Sequence, residues 1–213
     1  MKLLVALVAA IVGSAAFAQS SDDWLTWPAA RAQGGGKAAY VTGRVGGLFD
    51  TRLLKTERSY NYELAATWLT PDVIRAAARI AQLSDHLTDD EARALVAQAE
   101  SVGGTTVMVE IDPREGSGVI PLDWSALLEP LLADGTAGRP VRGVNTPALR
   151  DVRALSGTLR RNYDYDRFWV VFPLTHADGA PLFPPGAAAA ELIVRIHDRE
   201  GRVKWPIAAT LRP

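Results

Sequence analysis

The sequence predicts a β-rich α+β domain: an immunoglobulin-like sandwich, or a mixed sheet with helices on one face, with a two-helix hairpin inserted near residues 71–101. Three observations lead there. Several separate stretches alternate apolar and polar residues at period two, two adjoining segments carry helical periodicity with their own start signals, and a terminal pair of alternating runs is joined by a short polar turn.

The first eighteen residues set the location. Lys2, the apolar run from Leu3 to Val12 and the closing Ala16-Phe17-Ala18 have the layout of a secretory signal peptide cut after Ala18. The apolar run is about half the roughly 20 residues that a bilayer span needs, so cleavage is expected rather than anchoring, with no membrane span left afterwards. No cysteine follows the cut, which excludes a lipid anchor. The expected location is the periplasm or the outside of a bacterial cell. Residues 19–36, rich in Ser, Asp, Ala and Gly and ending in Gly34-Gly35-Gly36, read as a flexible leader. Trp24 and Trp27 sit oddly in a solvated linker and are expected to dock on the protein's own body. Residues 37–213 then form a single β-rich globular domain with its helical insertion.

Within that domain, Ala38 to Val45 reads as a strand. Tyr60, Tyr62, Leu64, Ala66 and Trp68 share one face of a second, half-buried strand. Thr70-Pro71-Asp72 starts a helix, with a capping threonine, proline at the first position and an acid complementing the dipole. It runs to about Leu83 with Ile74, Ala77, Ala78 and Ala81 as its apolar stripe. Thr88 and Glu91 form a capping box for a second helix to about Ser101, whose stripe is Ala92, Leu95, Val96 and Ala99. Gly103-Gly104 ends it, and Thr105 to Ile111 returns to strand. Asp123 to Leu132 reads as a short helix turning Trp124, Leu127, Leu128 and Leu131 inward, and Ala133 to Arg139 as an exposed loop. Leu149 to Leu159 leans towards strand through its Val152/Ala154 alternation and Gly157. Phe168 to Phe172 is apolar on both faces, as a fully covered central strand must be. The run Leu192, Val194, Ile196 and the run Val203, Trp205, Ile207 form a hairpin around Asp198-Arg199-Glu200-Gly201, with Gly201 supplying a positive φ.

Composition narrows the chemistry. The 213 residues carry a net charge of −1 and no cysteine. Loss of Lys2 with the leader makes the mature chain more negative still, so phosphate neutralisation has no basic excess to draw on and nucleic acid is excluded as a partner. The lack of cysteine removes thiol nucleophiles, cysteine-based zinc sites and iron–sulfur clusters. The cations are almost all arginine, with lysine only at Lys2, Lys37, Lys55 and Lys204.

No motif for a known catalysis is present. His86, His176 and His197 lack metal-binding spacing, and Gly116-Ser117-Gly118 lacks the flanking residues of a nucleophile elbow or a phosphate loop. Glu110, Asp112, Glu115 and Asp123 offer hard oxygen ligands or a glycosidase acid pair, but without calcium-loop spacing and with Arg114 among them they read as a solvated turn. No catalytic residue, metal ligand or cofactor is assigned. The densest recognition chemistry is Arg160, Arg161, Tyr163, Asp164, Tyr165 and Asp166, where guanidinium forks, phenols and carboxylates suit contact with an envelope protein or glycan. The function expected is therefore a noncatalytic binding or assembly module of the cell envelope, and the rival is a metal-assisted or carboxylate-dependent hydrolase of envelope glycans or peptides.

Overall fold

The structure, a computed structural model, describes residues 22–43, 62–113, 120, 122–156, 166–197 and 199–211. The described residues form an α+β fold with two four-stranded antiparallel sheets and four α-helices. The first sheet contains β1 (Tyr62–Leu69), β2 (Thr105–Pro113), β5 (Val144–Asn145) and β6 (Asp166–Phe172), in the order β1-β2-β6-β5. The second contains β3 (Ser125–Leu132), β4 (Val141–Arg142), β7 (Ala187–Ile196) and β8 (Arg199–Pro206), in the order β4-β3-β7-β8.

Alternation along the strands decides what each sheet faces. Leu64, Ala66, Trp68, Val107, Val109, Ile111 and Phe172 point from the first sheet into a core shared with Leu128, Leu192, Val194, Ile196, Val203 and Trp205 of the second. The opposite face of the first sheet offers Leu69, Met108 and Trp169. These meet Ile74 and Ala78 of α2 (Pro71–Asp85), Ala92, Val96 and Ala99 of α3 (Asp89–Glu100), and Ala154 and Leu155 of α4 (Arg153–Ser156). The indole N–H of Trp169 fastens this layer by donating to the Leu155 carbonyl at 2.9 Å. The result is three layers, helix on sheet on sheet, with two apolar cores.

Two glycines allow close approaches that any side chain would block. Gly43, at the end of α1 (Ala29–Thr42), accepts a hydrogen bond from the Ala66 N–H at 2.8 Å, and a Cβ there would overlap the Ala66 carbonyl. Gly143 carries the chain from β4 in one sheet to β5 in the other, and its missing side chain leaves room for Val170 and the Phe172 ring.

The strands at 62–69, 105–113 and 166–172 and the helical pair at 71–85 and 89–100 match the reading of the sequence. Several elements differ. Residues 22–42, expected as a flexible leader followed by a strand, form a 3-10 turn (Asp22–Thr26) and α1, and Trp24 is only 2% exposed. Asp123–Leu132 is not a helix but β3, paired along its length with β7. Pro130 stands within that run, where a helix would lose a hydrogen bond and also set the proline ring against the carbonyl four residues back, whereas a strand loses only one ladder bond. Leu149–Leu159 is not a strand in its described part, which is a 3-10 turn (Pro147–Asp151) and α4, opened by the Thr146-Pro147 signal. The terminal hairpin turns two residues earlier than expected: His197 takes the positive φ, 53°, while Gly201 lies inside β8 opposite Val194.

Candidate functional site

Two places concentrate polar chemistry. One is a cleft of about 520 Å³ between the 3-10 turn, α1 and the first turn of α2, lined by Asp23, Trp27, Arg31, Gly35, Asp72, Val73, Arg75, Ala76 and Thr210. Its shape comes from how residues 22–28 are pinned. Trp24 and Leu25 are buried in the helical core, and Arg93 of α3 pairs with Asp22 at 2.9 Å. The Arg79 guanidinium of α2 donates to the Trp27 carbonyl at 2.9 Å and to the Gln82 side chain at 2.7 Å. Gln82 in turn donates to Asp89 at 2.8 Å, so a chain of hydrogen bonds running through both helices holds Trp27 over α2.

Two buried donors in the shell of this cleft lack an acceptor. The indole N–H of Trp27 and the Nε–H of Arg75 are buried and have no partner. Each such donor costs about 1–3 kcal/mol unless an acceptor reaches it. Arg31 lies with its Cζ 4.2 Å from the Trp27 ring centroid, a cation–π contact worth about 0.5–1 kcal/mol at an exposed position. The N-terminus of α2 is left open too: Thr70 makes no side-chain cap and Pro71 carries no N–H, so the Asp72 and Val73 amides are the ones without a helical partner. On the acceptor side, Asp72 already meets Arg75 at 3.4 Å, and Arg75 also reaches Glu100 at 3.7 Å. Gly35 forms one wall, where an added Cβ would touch only Ala76, at 3.8 Å.

The second concentration is the outer face of the β4-β3-β7-β8 sheet, which no described helix covers. Arg202 pairs there with Glu191 at 2.6 Å, Glu200 at 2.6 Å and Glu129 at 3.7 Å, and Arg195 pairs with Glu200 at 2.7 Å. Glu129 and Glu191 are directly opposite each other in the β3–β7 register. Burial, and then the neighbouring Glu191 charge, pushes the Glu129 carboxyl above the usual carboxylate range. Glu200 moves the other way, held low chiefly by its hydrogen bond from Arg195. These charges mostly satisfy one another, so the cleft, with its unmet donors, is the better candidate for a ligand.

Of the recognition segment picked out from the sequence, Arg160, Arg161, Tyr163, Asp164 and Tyr165 lie outside the described residues, and Asp166 is exposed at the start of β6. Glu115 is also outside them. Glu110 is fully buried in β2 and pairs with Arg167 at 3.2 Å, while Asp123 is exposed. His86 ends α2 in a left-handed conformation, His176 lies in the connection from β6 to β7 and His197 in the terminal turn. No three His, Asp or Glu side chains among the described residues come together as ligands for a metal ion. No described helix is long and apolar enough to cross a membrane.

Sequence reasoning singled out Trp27 but missed its cleft, because Arg75 and Asp72 reach it from almost fifty residues away. The signal it had was an indole four residues before an arginine, beside a segment that looked unstructured. No protein-family model matches this chain, and neither a curated protein nor a solved structure matches it.

Proposed function

We propose that this chain is an exported, noncatalytic binding module of the bacterial cell envelope, processed after Ala18, which holds its ligand in the cleft between α1 and α2. The observation that carries this reading is the pair of buried, unpartnered donors, Trp27 Nε1 and Arg75 Nε, in the shell of one concave site. A buried polar group without a protein partner calls for one from outside, and a ligand, an ion or an ordered water in the cleft supplies it. The leader pattern from Lys2 to Ala18 supports export.

The scaffold proposed is an immunoglobulin-like sandwich. Taking β1-β2-β6-β5 as strands A-B-E-D and β4-β3-β7-β8 as C′-C-F-G gives the strand order of that fold. The helical hairpin then enters between A and B and cases the A-B-E-D sheet, and the cleft opens in that helical layer.

Saturation-transfer NMR with short envelope peptides and glycan fragments, run on the wild type and on Gly35→Leu, tests the reading. Leucine suits the helix better than glycine and fills the cleft from its wall. Transfer to a ligand from the wild type, lost in Gly35→Leu at unchanged melting temperature, is the expected result. Equal transfer from both proteins, or none from either, rejects the cleft as the binding site.

A further inference from the structure

The imbalance between donors and acceptors in the cleft says what the ligand must bring. Trp27 Nε1 and Arg75 Nε have no acceptor. The Arg31 guanidinium rests on the Trp27 ring and, among the described residues, pairs with no carboxylate. The uncapped first turn of α2, where Asp72 and Val73 line the cleft, adds backbone N–H groups aimed out of the helix end. On the acceptor side, Asp72 already meets Arg75 at 3.4 Å, and Asp23 is not free either. A neutral hydroxyl offers each of these donors one weak acceptor and brings a donor that has no place to go. A carboxylate offers two oxygens with no proton and takes charge-assisted bonds from Arg and indole donors. A phosphate dianion fits less well, since Asp23 and Asp72 stand at the same mouth and repel the second charge.

We propose that the cleft binds a carboxylate, received by Arg31 and the Trp27 indole N–H with the open end of α2 behind them. This rests on the cleft being the binding site and names the class of group it takes. Arg31 meets the Trp27 face through a cation–π contact of about 0.5–1 kcal/mol, weak enough for the guanidinium to turn to an incoming anion, and the indole N–H, buried in the free protein, is uncovered as the anion enters. The shared chemistry has two sources in a cell envelope, an acidic sugar and the free C-terminus of a peptide.

The indole region of the ¹H–¹⁵N spectrum reads the proposal directly. The chain has six tryptophans, and the Trp27 resonance is identified by its loss in Trp27→Phe. The protein, purified as the cell processes it, is titrated with D-glucuronate and with N-acetyl-alanyl-alanine. D-glucose and the C-terminal amide of the same peptide serve as neutral counterparts. The expected result is a saturable downfield movement of the Trp27 indole proton with a carboxylate and none with its neutral counterpart. Arg31→Gln should weaken that binding about tenfold or more, as for loss of a charged hydrogen bond. Movement with glucuronate alone assigns an acidic sugar; movement with the peptide alone assigns a C-terminus.

Equal movement with carboxylate and neutral counterpart overturns the carboxylate while leaving the cleft as a site. A static Trp27 resonance with both carboxylates also overturns it. The Gly35→Leu comparison then separates the two levels: a wild-type ligand still lost on plugging the cleft condemns only the ligand class, whereas one indifferent to the plug condemns the site itself.

Discussion

Glu129 and Glu200 sit in one lattice of charges and respond to pH in opposite senses. The folded-state pKa of Glu129 is raised, by burial and then by Glu191 across the strand pair, so its contribution to stability is present below the unfolded pKa and is lost as pH rises through the folded value. At neutral pH it therefore costs stability. Glu129→Gln removes a like-charge pair placed directly across two strands, and is expected to stabilise by about 0.5 kcal/mol at pH 7, with the gain fading as the solution is acidified enough to protonate Glu129. Glu200 has its pKa lowered by Arg195, and so contributes stability above the unfolded pKa that is lost as pH falls through the lower folded value. Glu200→Gln is expected to destabilise by about 0.5–1 kcal/mol at pH 7 and to approach the wild type in acid. Denaturant melts of the two variants at pH 7 and pH 4 check both signs; the same sign for both at pH 7 contradicts the assignment.

The two long helices that case the first sheet start in different ways. Thr88 Oγ1 accepts from the Glu91 N–H at 3.3 Å while the Glu91 carboxylate accepts from the Thr88 N–H at 2.7 Å, a complete capping box. Thr70 makes no such bond to α2. Thr88→Ala is accordingly expected to cost about 1 kcal/mol, or roughly 2–4 °C in melting temperature for a domain of this size, and Thr70→Ala a few tenths or less. Thermal melts decide it, and equal losses from the two changes contradict the open end of α2 on which the ligand reading draws.

This is also the scale at which the sequence was most and least legible. The capping box and the stripe Ala92, Val96, Ala99 need only neighbours in the chain, and they are read correctly. At β3 the apolar positions Leu127, Leu128 and Leu131 satisfy a helical spacing by coincidence, because leucines stand on both faces of the strand: Leu128 points into the sandwich while Leu127 lies half-buried on the outer face. Only Pro130 distinguishes the two cases. In α1 the three glycines Gly34, Gly35 and Gly36 disfavour a helix by about 0.5–1 kcal/mol each relative to alanine, and packing against α2 overrides that preference. Residue type points to Gly201 as the turn residue; His197, for which a positive φ is uncommon, carries it instead.

The molecule as a whole places two sheets around one core and a helical layer around a second, and its cleft opens in the helical layer. Its parts converge from distant stretches of sequence. The 3-10 turn and α1 supply Asp23, Trp27, Arg31 and Gly35, α2 supplies Asp72 and Arg75, and Thr210 joins them from near the other end of the chain. No local pattern announces such a site, because its unpartnered donors, Trp27 Nε1 and Arg75 Nε, come together only once the segments are packed. The expectation of β-rich α+β architecture needed only alternation and turns, whereas the cleft needed the fold.

A crystal structure of the protein with the tightest ligand found among the envelope peptides and glycan fragments decides whether the cleft is the binding site. The account predicts ligand density between α1 and α2, with an acceptor atom within hydrogen-bond distance, about 2.7–3.2 Å, of Trp27 Nε1 and Arg31 turned from the Trp27 ring towards it. Ligand density on the outer face around Glu129 and Arg202, or against the 160–166 segment, with the cleft unfilled, contradicts it.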